Sequence, residues 1–368
     1  MLTRLFVDNF KSFVNFEYRP DPIQLILGAN GSGKSTLLDA LLFLRQFVNR
    51  GDKADELRVL SQKTRWLAQP RMTFELEARV DCQNYVYRVQ FEASGEPAQA
   101  RVVSETVHLD RKPIFEFLEG EVRLYNDRFE PGVVYPFDPV RSALATITPQ
   151  KDNHALVKFK TWFAGLVCFR LNPFAMRPVA EAEDLFPNVD LSNFAAWYRH
   201  LVQAAPRINA DLLGSLHASL EGLSYLGLEA MGENRRLLSC QFDDGRTEST
   251  RFLFTELSEG QRCLICLYAI LHFYVQQGST VILDEPDNFL SLREIQPWLM
   301  SLIEAVEEGT GQVLLISHHP ELMNQLAPQH GVLFVREPMG PTRLERFQGE
   351  PDSRLSPAEL IARGWENG

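Results

Sequence analysis

The chain has 368 residues, 45% of them hydrophobic, and a formal net charge of −11 at pH 7. That hydrophobic share supports a packed core and excludes a disordered chain, while the acidic balance argues against a generally basic nucleic-acid binder and leaves room only for a local basic groove. No run reaches the ~20 apolar residues of a membrane helix, and the charged opening MLTRLFVDNFKSF has no signal-peptide core, so a soluble cytoplasmic protein with no membrane partner is expected.

In chain order, LTRLFVDNFKSFVNFEY alternates apolar and polar residues and predicts a strand pair. QLILG (Gln24 to Gly28) predicts a short buried strand running into a glycine-rich turn, and Ser35 to Val48 a helix. Residues 71–135 alternate again, in MTFELEARV, YVYRVQFEA, RVVSETVHL, IFEFLEG and EVRLYN, which predicts an antiparallel β region. Residues 152–221 have helical spacing, in HALVKFKTWFAGLVCF, LSNFAAWYRHLVQAA and INADLLGSLHASLEGL. RRLLSCQFDD and ESTRFLFTEL, joined through Gly245, predict a hairpin. A long helix follows Ser258, then a buried strand TVILD, a helix around 290–308, a strand VLLIS and two short strands near 331–347. Strands alternating with helices imply a parallel sheet. These changes of pattern divide the chain into 1–140, 141–256 and 257–368, and Pro149, Pro173, Pro178, Pro187 and Pro206 interrupt any coiled coil.

Five cysteines spread over such a length make no disulfide framework. Cys263 and Cys266 form a CxxC, but it lies inside the apolar helical run RCLICLYAILHFYV with no second pair. A buried-core role is therefore expected over zinc or redox chemistry.

Gly28-Ala29-Asn30-Gly31-Ser32-Gly33-Lys34-Ser35-Thr36 satisfies GxxxxGK[ST], with a strand before it and a helix after it. Glycines let consecutive N–H groups face phosphate oxygens, and the helix adds its N-terminal dipole. Lys34 is expected to reach the β and γ phosphates and the Ser35 hydroxyl to ligate Mg²⁺. The strand Val281-Ile282-Leu283 ends in Asp284-Glu285-Pro286-Asp287. Asp284 is expected near the metal, and Glu285 facing the γ-phosphate, where it can polarise the attacking water. Ser258 of Leu257-Ser258-Glu259-Gly260-Gln261 can cap the long helix, and Gly260 allows close approach of a phosphate.

LSEGQ resembles the ABC signature LSGGQ, at the family's distance from the carboxylate strand. The resemblance implies an ABC-type P-loop ATPase head of α/β class, with an antiparallel β subdomain and a helical lobe, that binds ATP with Mg²⁺ and hydrolyses it. It further implies a homodimer in which Ser258, Gly260 and Gln261 contact the nucleotide held by the other copy. In that family a switch histidine follows the next strand; in Leu315-Ile316-Ser317-His318-His319-Pro320 this is His318, with His319 the alternative. The D-loop falls at Asn288 to Ser291, and Gln150 is offered for the Q-loop.

The stretch between Thr36 and Leu257 is much longer than in transporter subunits. The opening NFKSFVNFEY (Asn9 to Tyr18) is similar to the SMC, RecF and OLD branch, where Lys11 and Ser12 lie near the nucleotide. Three departures narrow this: there is no coiled-coil arm, residues 319–368 are too few for a TOPRIM nuclease domain, and RecF has two aspartates where this chain has Asp284-Glu285. The chain most resembles bacterial stand-alone ATPases of this branch, which share the DEP(E/D)N strand end and a helical stretch like SNFAAWYRHL. Many of those relatives act in anti-phage systems, where a dimer controls a separate effector protein. A nucleic-acid partner is the second option, with Arg45, Arg50, Lys53, Arg58, Lys63 and Arg65 as its candidate contacts or simply a solvated face. A RecF-like repair ATPase and a nucleotide-gated module with very slow hydrolysis are the other readings.

Overall fold

A computed structural model of the chain describes residues 1–96, 98–243, 249–309, 311–347 and 355–363. Two compact units divide it, Met1–Val167 with Leu326–Gly368, and Cys168–Gln325. These contact boundaries differ from the changes of sequence pattern at 140 and 256.

The first unit opens with β1 (Leu2–Asp8), β2 (Phe16–Tyr18), β3 (Ile23–Leu27) and α1 (Lys34–Arg45). It continues with β4 (Met72–Val80), β5 (Gln83–Ser94), β6 (Gln99–Leu109), β7 (Lys112–Leu118), β8 (Glu121–Tyr125), β9 (Pro131–Pro136) and α2 (His154–Ala164). An eight-stranded antiparallel sheet runs in the order β2-β1-β4-β5-β6-β7-β8-β9. Alternation sets its two faces. Met72, Phe74, Leu76 and Ala78 of β4 are buried, while Glu75 and Glu77 meet Arg4 of β1 at 2.5 and 3.0 Å on the other side. The apolar face grips the helix that leaves the glycine-rich turn. Phe43 of α1 lies 5.1 Å from Phe74, tilted, and 5.4 Å from Phe91, edge-on, and Phe47, in the π-helical turn Gln46–Arg50, lies 5.0 Å from Phe91. Each such buried ring contributes roughly 1.5–3 kcal/mol, so the sheet anchors the C-terminal end of α1.

β10 (Leu166–Phe169) leads into the second unit, which contains β11 (Val179–Ala180), α3 (Phe194–Ala204), α4 (Pro206–Ser219), β12 (Leu223–Met231), β13 (Arg235–Phe242), β14 (Thr250–Leu253) and α5 (Glu259–Ile270). β15 (Thr280–Asp284), α6 (Leu292–Glu308), β16 (Gln312–Ile316) and α7 (Pro320–His330) follow. β15 and β16 pair in parallel, Asp284 opposite Ile316, and every residue of both strands is buried, as expected of a sheet covered on both faces. β17 (Gly331–Arg336), β18 (Thr342–Arg346) and α8 (Pro357–Arg363) complete the first unit, where β17 pairs in parallel with β3 and antiparallel with β18.

The helical reading of 152–221 ran too far. α2 stops at Gly165, and LVCF is the fully buried strand β10, because a four-residue apolar run between Gly165 and Arg170 is too short to be a helix. The segment Leu223–Met231, which carried no expectation, pairs with β13 along its whole length. The expected hairpin partners do pair, Ser239 opposite Leu253, but their joint at Gly245 lies outside the described residues. Cys263 and Cys266 are buried in α5, and burial pushes the Cys263 thiol up to about 12, which leaves both as small apolar side chains.

The first unit also encloses a carboxylate. Glu105 is fully buried, and burial raises its pKa above the usual carboxylate range. It accepts from the Tyr87 hydroxyl at 2.9 Å, the Ser142 hydroxyl at 2.6 Å and the Ala143 and Leu144 amides at 2.8 and 3.3 Å. These bonds hold the turn before α2 against β5 and β6. Glu105→Ala strands those donors and is expected to cost roughly 2–5 kcal/mol of stability. Urea unfolding of both proteins checks this; a loss below about 0.5 kcal/mol, the size of an ordinary surface substitution, would contradict the role.

Candidate functional site

The turn between β3 and α1 has three glycines at positive φ: Gly28 at 139°, Gly31 at 82° and Gly33 at 115°. The reasons differ. A Cβ on Gly28 would stand 2.3 Å from the Phe334 carbonyl oxygen of β17, and one on Gly33 would stand 2.3 Å from Thr342 Oγ1 of β18, while Gly31 has open space and is required by φ alone. The turn is therefore pressed onto the β17–β18 hairpin. Asn30, Gly31 and Ser35 are exposed; Ser32, Lys34 and Thr36 are buried. The Lys34 ammonium donates to the carbonyls of Gly28 and of Ala29, the latter at 3.1 Å, so its charge lies over the loop. Ser32 Oγ is buried without a hydrogen-bond partner.

Lys11 and Ser12 are beside this loop. Ser12 Oγ is 3.4 Å from Thr36 Oγ1 and 2.9 Å from Thr342 Oγ1, and the Thr342 hydroxyl is 2.8 Å from the Ser32 carbonyl oxygen. The Thr342 amide also donates to the Ser12 carbonyl at 2.9 Å. Lys11, at φ 49°, places its ammonium 2.6 Å from Asp39 of α1. Thr342 carried no sequence signal, because its partners lie 310 and 330 residues away.

In the second unit, β15 ends at Asp284, whose carboxylate is buried and paired with Arg170, with Nε at 2.6 Å and a second guanidinium nitrogen also in contact. Sequence reasoning missed Arg170, which is 114 residues from its partner. Glu285 has φ 50° and donates its amide to Ile316 of β16 at 2.8 Å. A left-handed glutamate costs about 1–2 kcal/mol, and strain of this kind concentrates at functional sites. Its carboxylate accepts from Asn288 Nδ2 at 2.7 Å. Asp287 is buried, accepts from Ser317 Oγ at 2.7 Å, and has its pKa raised by burial. It ties the end of β15 to the end of β16. His318 is exposed, whereas His319 Nδ1 accepts from the Glu321 amide at 3.2 Å and so caps the first turn of α7.

Ser258 is exposed at the N-cap of α5, in a capping box with Gln261 whose amide donates to Ser258 Oγ at 3.2 Å. A Cβ on Gly260 would lie 2.8 Å from the Phe289 carbonyl oxygen. The start of α5 thus packs directly on the segment after Asp287. Gln150 is exposed in the turn before α2, its amide held by Asn153 at 2.8 Å. Arg45 is buried at the end of α1, which removes it from any basic surface; Arg50, Arg58 and Arg65 are exposed.

A family model described as "AAA domain, putative AbiEii toxin, Type IV TA system" matches residues 24–324, and one described as the P-loop containing region of an AAA domain matches residues 2–45. The chain belongs to this AAA-domain family. Among solved structures it is similar to an SMC head bound to the C-winged helix domain of ScpA, at 13% identity, 94% of this chain, 98% of that chain and a TM-score of 0.55. It is also similar to an SMC head with an extended coiled coil bound to the C-terminal domain of ScpA, derived from Pyrococcus furiosus, at 13% identity, 98% of each chain and a TM-score of 0.53. Comparison with curated proteins gave no match. These likenesses show the expected fold, an SMC-like ABC-type P-loop ATPase head of α/β class, and the family implies nucleotide binding. Among the described residues, no helix is long and apolar enough to cross a membrane.

In this AAA-family chain the glycine turn is held shut by Thr342. Thr342→Val removes the hydroxyl that touches Ser32 and Ser12 while keeping the shape. One lost buried hydrogen bond is worth about 1 kcal/mol, so ATP affinity is expected to fall roughly fivefold with little change in melting temperature. Calorimetric titration with ATP checks this, and an unchanged affinity would show that the hairpin does not organise the loop.

Proposed function

We propose that this chain is an ATP-hydrolysing switch that works as a head-to-tail homodimer and controls a separate effector protein. The P-loop carries the nucleotide part of the reading. Three glycines at positive φ shape its backbone, and Lys34 would exchange the Gly28 and Ala29 carbonyls for phosphate oxygens. The signature at the capped start of α5, with Ser258 exposed, carries the dimer part: Ser258, Gly260 and Gln261 are proposed to meet a phosphate held by a second copy at this helix N-terminus.

Glu285 is the general base of this mechanism. Asn288 steadies its side chain through one carboxylate oxygen, which leaves the other to take the proton of the attacking water. His318, exposed at the end of β16, is the residue proposed to sense the γ-phosphate; His319 is occupied with capping α7. Ser35 in the first unit and Asp284 in the second each offer, as their motifs imply, an oxygen donor of the kind that suits Mg²⁺, which would neutralise phosphate charge. Arg170 holds Asp284 with a charge-assisted pair and competes for it. Lys11, paired with Asp39 of α1, and Ser12, beside Thr36, are the further residues proposed to line the nucleotide.

Two similar SMC heads were solved bound to ScpA domains, which supports a protein partner. The family description, a putative AbiEii toxin of a type IV TA system, and the resemblance to ATPases of anti-phage systems make antiviral defence the proposed setting.

The test is the mass of Glu285→Gln in solution with and without ATP and Mg²⁺. A monomer that becomes a dimer with ATP is expected, with hydrolysis lowered about 100-fold or more. Lys34→Ala should lose ATP binding, and Ser258→Arg should bind ATP as a monomer but not hydrolyse it. Normal hydrolysis by Ser258→Arg would overturn the dimer.

A further inference from the structure

The first turn of α5 carries a charge that its proposed role does not call for. In Leu257-Ser258-Glu259-Gly260-Gln261 the third position, a glycine in the signature it resembles, is a glutamate. Glu259 opens a 12-residue helix, and its side chain is 46% exposed. A carboxylate in a first turn is drawn to the partial positive charge of the helix N-terminus, and so is a phosphate. The two compete for one place.

Within the single chain this turn is already supplied. The Gln261 amide donates to Ser258 Oγ at 3.2 Å and the Ser258 amide to Gln261 Oε1 at 3.1 Å, so the capping box takes up two backbone donors. The Glu259 carboxylate is 3.3 Å from a guanidinium nitrogen of Arg262. Arg262 is 7% exposed, donates to the Pro173 carbonyl at 2.6 Å, and has its Nε buried with no hydrogen-bond partner. This buried cation is only partly paired inside the chain, which points independently to a further anion at the turn. Two other carboxylates are near, and each is occupied. Glu294, 3.9 Å from where a Cβ on Gly260 would stand, caps α6 through the Ser291 amide and hydroxyl at 2.9 and 2.6 Å. Glu256 accepts from the Leu253 amide at 2.6 Å. Glu259, held by a half-exposed ion pair, is the carboxylate that can turn away. The backbone cannot retreat in its place, because a Cβ on Gly260 would stand 2.8 Å from the Phe289 carbonyl oxygen.

We propose that Glu259 is a built-in competitor of the phosphate: it occupies the first turn of α5 in the single chain, and a second copy brings its bound nucleotide there only by displacing this carboxylate. This rests on the head-to-tail dimer proposed above. It adds the residue that sets how tightly two copies close, since like charges brought together in an interface oppose association.

The experiment is sedimentation equilibrium of the full chain with ATP and Mg²⁺, with Glu285→Gln as the parent and Glu259→Gln, Glu259→Gly or Glu259→Asp added to it. Two copies of each substitution act in one dimer, so Glu259→Gln and Glu259→Gly should tighten it at least about tenfold. Glu259→Asp keeps the charge and should stay within about twofold of the parent. The gain should largely vanish at about 1 M salt, where the screening length is about 3 Å. Removing an acid from a first turn lowers helix stability, so the melting temperature of Glu259→Gln without nucleotide should be unchanged or slightly lower while its dimer is tighter. A merely structural role would move both the same way. An equal or weaker dimer in Glu259→Gln, or the same tightening in Glu259→Asp, overturns the competitor and leaves the dimer reading intact. A parent that binds ATP and stays monomeric overturns both. Should Glu259→Gln not fold, as judged by its melting curve, Glu259→Gly against Glu259→Asp decides the question by the same comparison.

Discussion

A loop that aims its N–H groups at one point gives up the hydrogen bonds those groups would make in a helix or sheet. The glycine-rich turn here takes its shape because three glycines adopt φ values that side chains avoid and because the β17–β18 hairpin presses on it from outside. The contact leaves no room for a methyl group at Gly28 or Gly33, so the hairpin and the loop specify each other. Thr342 then links Ser32 to Ser12, and Phe43 and Phe47 lock the helix that follows. The antiparallel sheet, the aromatic cluster and the distant C-terminal strands all serve one piece of backbone.

Within each unit, charged side chains of the motifs are held by partners. Lys34 lies on two carbonyls, Asp284 on Arg170, Glu285 on Asn288, and Lys11 on Asp39. Burying any of these groups alone would be costly. Ligand binding at such a site is an exchange of partners, so the net gain from each phosphate contact is smaller than its gross strength. Arg170 shows the consequence most directly. It holds a buried carboxylate, and any cation that took this carboxylate would have to displace the guanidinium.

The readable and unreadable parts of the sequence divide along one physical line. Local rules predicted β4 to β8, α1, β15 and β16 with their motifs, since periodicity and a glycine-rich turn are local signals. The helical expectation failed at Leu166–Phe169 because a short apolar run fits a strand or a helix equally well, and Gly165 was the only punctuation. Within the site, Arg170, Thr342 and Arg336 were invisible. Each acts through a partner more than a hundred residues away, and single residues carry no pattern for that. Asn288 was legible only as part of a motif; its bond to Glu285 needed coordinates.

The second unit joins its own motifs by direct contact. Gly260 lies against the Phe289 carbonyl, Leu290 donates to Asp287, Asp287 accepts from Ser317, and the Ser317 hydroxyl also accepts from the His319 amide that precedes α7. Glu285 stands at the head of this series, in a backbone conformation that is held by Ile316 and is otherwise unfavourable. Relaxing that residue would move the Asp287 segment, and the segment cannot move without displacing the start of α5, because no gap separates them. Signature and carboxylate strand are therefore mechanically one body. A shift at the strand end is therefore felt at the exposed cap of α5.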